Sequence, residues 1–81
     1  MPKSLQAQRY RLLPSMLREM REEAGLTQRE LAERLRISHV MVHNSETAER
    51  RMDVTEFADW CEACGVDPVD AFRSLQRRRG R

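Results

Sequence analysis

Apolar residues recur at helical spacing along most of the chain. In the segment SMLREMREEA, Met16, Leu17, Met20 and Ala24 fall on one helical face, and Gly25 follows as a residue suited to end a helix. No segment shows the sustained period-two alternation, enriched in β-branched residues, that is typical of a strand. The pattern therefore predicts an all-α fold.

Two short helices with a tight connection are predicted in the middle of the chain. Thr27 and Glu30 have the T-x-x-E spacing of a capping box, from which a helix runs to about Leu35. Ser38 is a favourable N-cap for a second helix over residues 39–48. This arrangement matches a helix-turn-helix, and the second helix of such a pair can enter the major groove of DNA.

Three further helices complete the predicted bundle. Pro14 is tolerated only in a first helical turn, so the first helix begins near residues 11–13 or bends there. Asp53 is a candidate cap for a fourth helix. Asp67 followed by Pro68 has the form of an N-cap with proline at the first helical position of a fifth.

Length and charge limit the possible functions. The 81 residues are enough for one small domain, which we place at 10–76, between a basic N-terminal arm at 1–9 and a basic C-terminal tail at 77–81. The segment 53–70 is acidic, so the small net charge of +2 conceals a segregation that permits binding to a polyanion. No apolar run approaches a membrane span or a signal peptide, and we expect a cytoplasmic protein.

Two segments carry a family resemblance. The stretches AGLTQRELAERLRIS and ERRMDVTEFADWCEACGVDP resemble the Cro/CI-type helix-turn-helix proteins, also called the XRE family, and the similarity extends from about Tyr10 to Leu75. The resemblance implies a compact five-helix bundle, the lambda-repressor-like DNA-binding domain. It also implies double-stranded DNA as the partner, a homodimer, transcription regulation without catalysis, and no cofactor or small-molecule substrate.

The resemblance also indicates site residues. On the second helix of the pair, base contacts are expected from His39, Val40, His43 and Asn44. Around it, phosphate contacts are expected from polar residues at helix starts and from flanking arginines: Thr27, Gln28, Arg29, Arg36, Ser38, Arg50 and Arg51. Arg21 and Glu46 match two family positions that form an ion pair, which would orient this helix.

Several positions depart from the family pattern. His39 replaces a base-contacting glutamine, and Ser45 replaces a large core residue. Arg36 and Ala48 stand where glycine is usual. If the turn keeps its geometry, Arg36 must take a positive φ at a cost of about 1 kcal/mol. The fold expectation is unaffected, but the operator sequence does not follow from the family.

The histidines and cysteines have other interpretations. His39, His43, Cys61 and Cys64 could supply a Cys2His2 zinc site, but the two histidines should face outward and the two cysteines toward the core. The C-x-x-C spacing lacks the βαβ setting of a redox motif, so packing is favoured. The histidines also lack a nearby nucleophile or pocket. We therefore expect no metal and no catalytic residue.

The favoured function is a sequence-specific DNA-binding regulator, with repression preferred, that binds a near-palindromic operator as a dimer. Apolar residues near the C-terminus are the candidate dimer contacts: Trp60, Val66, Val69 and Phe72. The alternative is a protein-interaction module, such as an antitoxin subunit, that retains the fold with or without DNA binding.

Overall fold

The computed structural model describes residues 5–80, which form six α-helices joined by short connections. In chain order these helices are α1 (Leu5–Tyr10), α2 (Leu12–Glu23), α3 (Gln28–Leu35), α4 (His39–Glu46), α5 (Val54–Ala63) and α6 (Pro68–Arg79). The predicted five-helix domain corresponds to α2 to α6, and the all-α prediction is confirmed. Residues 5–9 of the predicted arm belong to α1, and residues 77–79 of the predicted tail belong to α6, so both segments are helical where the structure describes them. Residues 1–4 of the predicted arm and Arg81 of the predicted tail lie outside the described residues.

A bend at Arg11 separates α1 from α2. Pro14 has no N–H to donate to the carbonyl of Tyr10, and its ring would clash with that carbonyl in a continuous helix. The N–H of Arg11 instead bonds to the carbonyl of Gln8 at 3.3 Å. The expected start or bend near residues 11–13 is therefore confirmed, and its cause is local.

The predicted N-caps are present at the helix starts. The Glu30 N–H donates to Thr27 Oγ1 at 3.1 Å, and the Glu30 carboxylate accepts from the Thr27 N–H at 2.8 Å, which completes the capping box. Asp53 forms a second capping box with Glu56. Ser38 Oγ accepts from the N–H of Met41 at 3.2 Å. These bonds satisfy backbone donors that have no partner inside the helix.

The turn between α3 and α4 keeps its geometry without glycine. Arg36 has φ 58° and ψ 43°, the left-handed conformation that costs an L-residue about 1 kcal/mol. Its N–H bonds to the Glu33 carbonyl at 3.3 Å, and the Ile37 N–H bonds to the Ala32 carbonyl at 3.1 Å. This pair of bonds is a Schellman motif, which ends α3 and directs the chain into α4.

The core lies where α4 and α6 pack against α2, and α5 against α3 and α6. Its buried apolar residues are Met16, Leu17, Met20, Leu31, Ala32, Val42, Phe57, Trp60, Cys61 and Ala71. No helix within residues 5–80 has both the length and the apolar character needed to cross a bilayer.

Trp60 corrects one expectation. Its indole is 1% exposed, and Nε1–H donates to the Leu17 carbonyl at 3.1 Å. An aromatic residue whose apolar surface and only donor are both satisfied inside one protomer has nothing left for a partner. The assignment of Trp60 to a dimer surface is therefore wrong, and Trp60 is a core residue.

Candidate nucleic-acid interface

Helix α4 presents a polar face to solvent. His39, Val40 and His43 are exposed, Val40 to 53%, and Asn44 is half-buried. All the predicted base-contact residues are therefore at least partly accessible on one short helix. This helix follows the tight turn at residues 36–38, and we call it the recognition helix.

The opposite face of the recognition helix anchors it to the core. Val42 is fully buried and Ser45 is 1% exposed. The Ser45 hydroxyl donates to the Met41 carbonyl at 2.8 Å, so the small polar residue at this core position is satisfied. Beside Ser45 lies a cavity of about 60 Å³, also lined by Ile37 and Trp60.

A buried ion pair joins the recognition helix to α2. Arg21 Nε lies 2.6 Å from Glu46 Oε2, and Arg21 Nη2 lies 3.0 Å from Glu46 Oε1. Arg21 Nη1 also donates to the Leu26 carbonyl at 2.8 Å. The hydrogen bond to Glu46 raises the pKa of Arg21 and outweighs desolvation, which acts in the opposite direction. Two parallel bonds to a carboxylate fix both angle and distance, so the C-terminal end of the helix is held rigidly.

Gln28 adds a third member to this cluster. Its Nε2 donates to Glu46 Oε1 at 3.1 Å and lies 3.5 Å from His43 Nδ1. Because Gln28 is the first residue of α3, it connects the two helices of the pair directly. We call the contacts among Arg21, Gln28 and Glu46 the Glu46 brace.

The N-terminal end of the recognition helix lies beside a basic cleft. The open cleft has a volume of about 320 Å³, and its polar lining consists of Arg29, Glu33, Arg36, Ser38 and His39, in which the two arginines outnumber the one carboxylate. Thr27 is exposed at the start of α3, where its hydroxyl oxygen caps the helix. The fold thus brings arginines from α3 and from the turn next to a helix N-terminus, an environment that favours phosphate oxygens.

The basic loop after the recognition helix contains two different arginines. Arg50 is half-buried and forms a hydrogen-bonded ion pair with Glu56, which lowers the pKa of that carboxyl. Arg51 is exposed, and its guanidinium carbon lies 4.2 Å from the centre of the Tyr10 ring. Arg51 is thus the more accessible of the two for a phosphate.

Tyr10 is a residue that the sequence did not indicate. Its hydroxyl oxygen accepts from the Met52 N–H at 3.1 Å, and its ring supports Arg51. The contact ties the end of α1 to the basic loop across 42 positions of sequence. No local pattern signals such a contact.

The remaining predicted dimer residues lie around α6. Val69 is 60% exposed and Phe72 is 50% exposed. These residues are three positions apart on one helical face, whereas Val66 is half-buried before the helix begins. An exposed phenylalanine next to an exposed valine is available for a partner surface.

The two cysteines belong to α5 and its C-cap, whereas the two histidines belong to α4. Within residues 5–80, no group of three or more potential ligands from histidine, cysteine and acidic residues is placed to hold a metal ion. Cys61 is buried with Sγ 4.0 Å from Met20 Sδ, and burial raises its pKa to about 11. A thiol with so high a pKa is a poor nucleophile and metal ligand at neutral pH, so Cys61 serves packing.

Comparison with known proteins places this geometry in a family. The model of a helix-turn-helix domain matches residues 15–75. An XRE-family-like protein from Pseudomonas syringae pv. tomato str. DC3000 is 42% identical, with a TM-score of 0.84 over 91% of this chain and 90% of that one. Two structures of the clp gene regulator ClgR from Corynebacterium glutamicum are 28% identical, with TM-scores of 0.76 and 0.73. They cover 93% and 98% of this chain, which spans 92% and 85% of theirs.

No curated protein sequence matches the chain. The domain match and the identity to the Pseudomonas syringae structure each cover most of its length, and both agree with the outward-facing recognition helix. The family acts by binding DNA and is not enzymatic. The chain belongs to the XRE family of helix-turn-helix DNA-binding transcription regulators.

Proposed function

We propose that the protein represses transcription by binding a near-palindromic operator as a homodimer. Two recognition helices would enter successive major grooves of one DNA face, about 34 Å apart. The observation that carries this proposal is the recognition helix itself, whose polar face is exposed while its other face and C-terminal end are held by the core and the Glu46 brace. A dimer bound over a promoter excludes other proteins from the same DNA, so repression needs no further surface.

Base contacts are proposed for His39, Val40, His43 and Asn44. Histidine and asparagine side chains carry donors and acceptors suited to base edges, and Val40 can pack on a thymine methyl group. The exposure of Val40 supports this role, since a valine at 53% exposure contributes little to the core. Asn44 is half-buried, whereas His39 is exposed.

Phosphate contacts are proposed for Thr27, Gln28, Arg29, Arg36, Ser38, Arg50 and Arg51. Gln28 would use its backbone N–H at the start of α3, because its side-chain amide faces Glu46 and His43. The cleft at the start of the recognition helix supports the roles of Arg29, Arg36 and Ser38. Arg51 is expected to contribute more than Arg50, because the Arg50 guanidinium is already paired with Glu56. The homodimer is proposed to form through Val69 and Phe72, which are the exposed apolar pair of α6.

Selection of bound sequences from random duplex DNA tests the proposal. The wild-type protein should enrich two half-sites of opposite orientation, and Asn44→Ala should lose preference at one base position per half-site, by roughly 1–3 kcal/mol. Arg51→Gln should weaken binding to all sequences and reduce the salt dependence by about one counterion. Arg18→Gln, an exposed arginine of α2 that belongs to neither the proposed DNA surface nor the proposed dimer surface, is the matched control and should change neither property.

Three results would each remove part of the proposal. Enrichment of single half-sites with a monomeric protein in solution would remove the dimer. An unchanged preference in Asn44→Ala would remove that base contact. Failure to bind any duplex at low ionic strength, together with a stable protein partner, would favour the interaction-module alternative.

A further inference from the structure

The Glu46 brace fixes the orientation of the Gln28 amide. The Glu46 side chain is 2% exposed, and each of its two oxygens accepts a hydrogen bond from the Arg21 guanidinium, so Glu46 acts here only as an acceptor. The amide group that faces Glu46 Oε1 at 3.1 Å must therefore be the NH2 of Gln28. The opposite orientation would place the Gln28 carbonyl oxygen against a carboxylate oxygen, with no proton between them.

The same NH2 group faces His43. Gln28 Nε2 lies 3.5 Å from His43 Nδ1, and an amide nitrogen has two hydrogens and no acceptor capacity. His43 and Glu46 are three positions apart and therefore lie on one side of the helix, so one amide nitrogen can direct one hydrogen to each of them. His43 Nδ1 must then present a lone pair. A proton on Nδ1 would oppose the amide donor.

A neutral imidazole with an unprotonated Nδ1 carries its proton on Nε2. We infer that Gln28 holds His43 in the Nε2–H tautomer, so that the recognition helix presents a single, oriented donor to an acceptor on DNA. This inference rests on the proposed function for the identity of the ligand, but the tautomer itself is a property of the free protein. Gln28 is accordingly a positioning residue for a specificity-determining histidine.

The tautomer restricts what His43 can contact. In the major groove, purine N7, guanine O6 and thymine O4 are acceptors, whereas cytosine offers only the N4 donor. A ring that presents only Nε2–H can therefore donate to a purine or to thymine, but it finds no acceptor on cytosine. A backbone phosphate oxygen can also accept the Nε2–H bond. A contact to a base changes the sequence preference of the protein, whereas a contact to a phosphate does not.

Heteronuclear NMR of the ring nitrogens in the free, full-length protein tests the tautomer. At a pH where both histidines are neutral, His43 should show a single form with a protonated Nε2 and an unprotonated Nδ1. His39 is an internal control, since its ring has no hydrogen-bond partner within residues 5–80, and it should show the averaged signals of two exchanging tautomers. A proton on His43 Nδ1, or averaging like that of His39, would overturn the inference.

Gln28→Ala removes the positioning amide. The His43 signals should then move to the averaged values seen for His39, while the His39 signals stay unchanged. Unchanged His43 signals in a folded Gln28→Ala protein would assign the tautomer to some other cause and end the role of Gln28. The wild-type measurement needs no variant, so the inference can be tested even if this substitution weakens the fold.

DNA selection with His43→Ala separates the two acceptor sources. Loss of an established preference for a purine or thymine at one position, by about tenfold, supports a base acceptor. Weaker binding to all sequences with a salt dependence reduced by about one counterion supports a phosphate acceptor. Loss of a preference for cytosine would contradict the donor role. If the wild-type protein binds no duplex, the proposed function fails while the NMR result still decides the tautomer.

Discussion

Two arginine–glutamate pairs in this protein have similar geometry and different surroundings. Arg21 and Glu46 are joined at 2.6 and 3.0 Å, and Arg78 and Glu19 at 2.9 and 3.2 Å. Both guanidiniums bind the two carboxylate oxygens. The side chains of the first pair are 10% and 2% exposed, whereas those of the second are 35% and 52% exposed.

The difference in burial decides what each pair contributes. Water screens the exposed pair and would solvate either partner alone, so its loss changes little. The buried pair has no such replacement, and removal of one member leaves an isolated charge in a poorly hydrated site. The same bond geometry therefore contributes little to stability in the exposed pair between α2 and α6, whereas in the buried pair it fixes the recognition helix against α2.

The largest expected effect comes from Glu46→Ala. It should lower the free energy of unfolding by about 3–5 kcal/mol, because Arg21 would remain buried without its carboxylate. Denaturant unfolding measures the change, and the double variant Arg21→Met with Glu46→Leu should recover much of it. If Glu46→Ala lowered the free energy of unfolding by only a few tenths of a kcal/mol, as expected for an exposed pair, water would have to reach Arg21. Burial would then not explain a difference between the two pairs.

The second effect concerns the other end of the recognition helix. Arg36→Gly should raise the free energy of unfolding by up to about 1 kcal/mol, since glycine takes the left-handed conformation without strain. The same substitution should weaken DNA binding if Arg36 contacts a phosphate. Arg36→Ala is the matched control, because it removes the guanidinium and keeps the strained backbone. Equal stability of the two variants would contradict the conformational explanation.

An intermediate effect is expected for the half-buried pair of Arg50 and Glu56. The hydrogen bond from Arg50, with help from the Asp53 N–H, lowers the pKa of Glu56 from its ordinary value of 4.5. A carboxyl with a lowered pKa contributes stability that is complete above its unfolded pKa and is lost as the pH falls through its folded pKa. As the pH falls below 4.5, the thermal midpoint should therefore decrease less in Glu56→Gln than in the wild type. Parallel curves for the two proteins would show that this pair does not couple to folding.

The smallest effect is expected for Glu19→Ala. The exposed pair with Arg78 should contribute only a few tenths of a kcal/mol, and less at high salt. Denaturant unfolding at low and high ionic strength measures the difference directly. A loss as large as that of Glu46→Ala would erase the comparison between the two pairs.

Much of the local structure was predictable because its causes are local. The caps at Thr27, Ser38 and Asp53 act on backbone groups within three residues. The bend near Arg11 follows from Pro14, which lies four residues C-terminal to Tyr10. The outward face of the recognition helix also follows from helical periodicity. These features depend on side-chain type and spacing, both of which are visible in the chain.

Other features were settled only by tertiary packing. Tryptophan is a residue type that is common at interfaces, but the indole of Trp60 is buried in the core and donates to the carbonyl of Leu17. Arg50 and Arg51 are neighbours of the same type, yet Glu56 takes one of them and Tyr10 supports the other. Their accessibility depends on which helix packs against the loop, and no periodicity carries that information.

The sequence alone therefore determined α2 to α6, the caps of α3, α4 and α5, and the family, but it did not predict α1. Tertiary structure decided which side-chain donors and acceptors contact each other. Gln28, for example, contacts His43 and Glu46, which are 15 and 18 positions away in the sequence. The physical reason is distance. Helix periodicity and capping act over one turn, whereas the donor and acceptor roles at the recognition helix depend on three helices held by a common core.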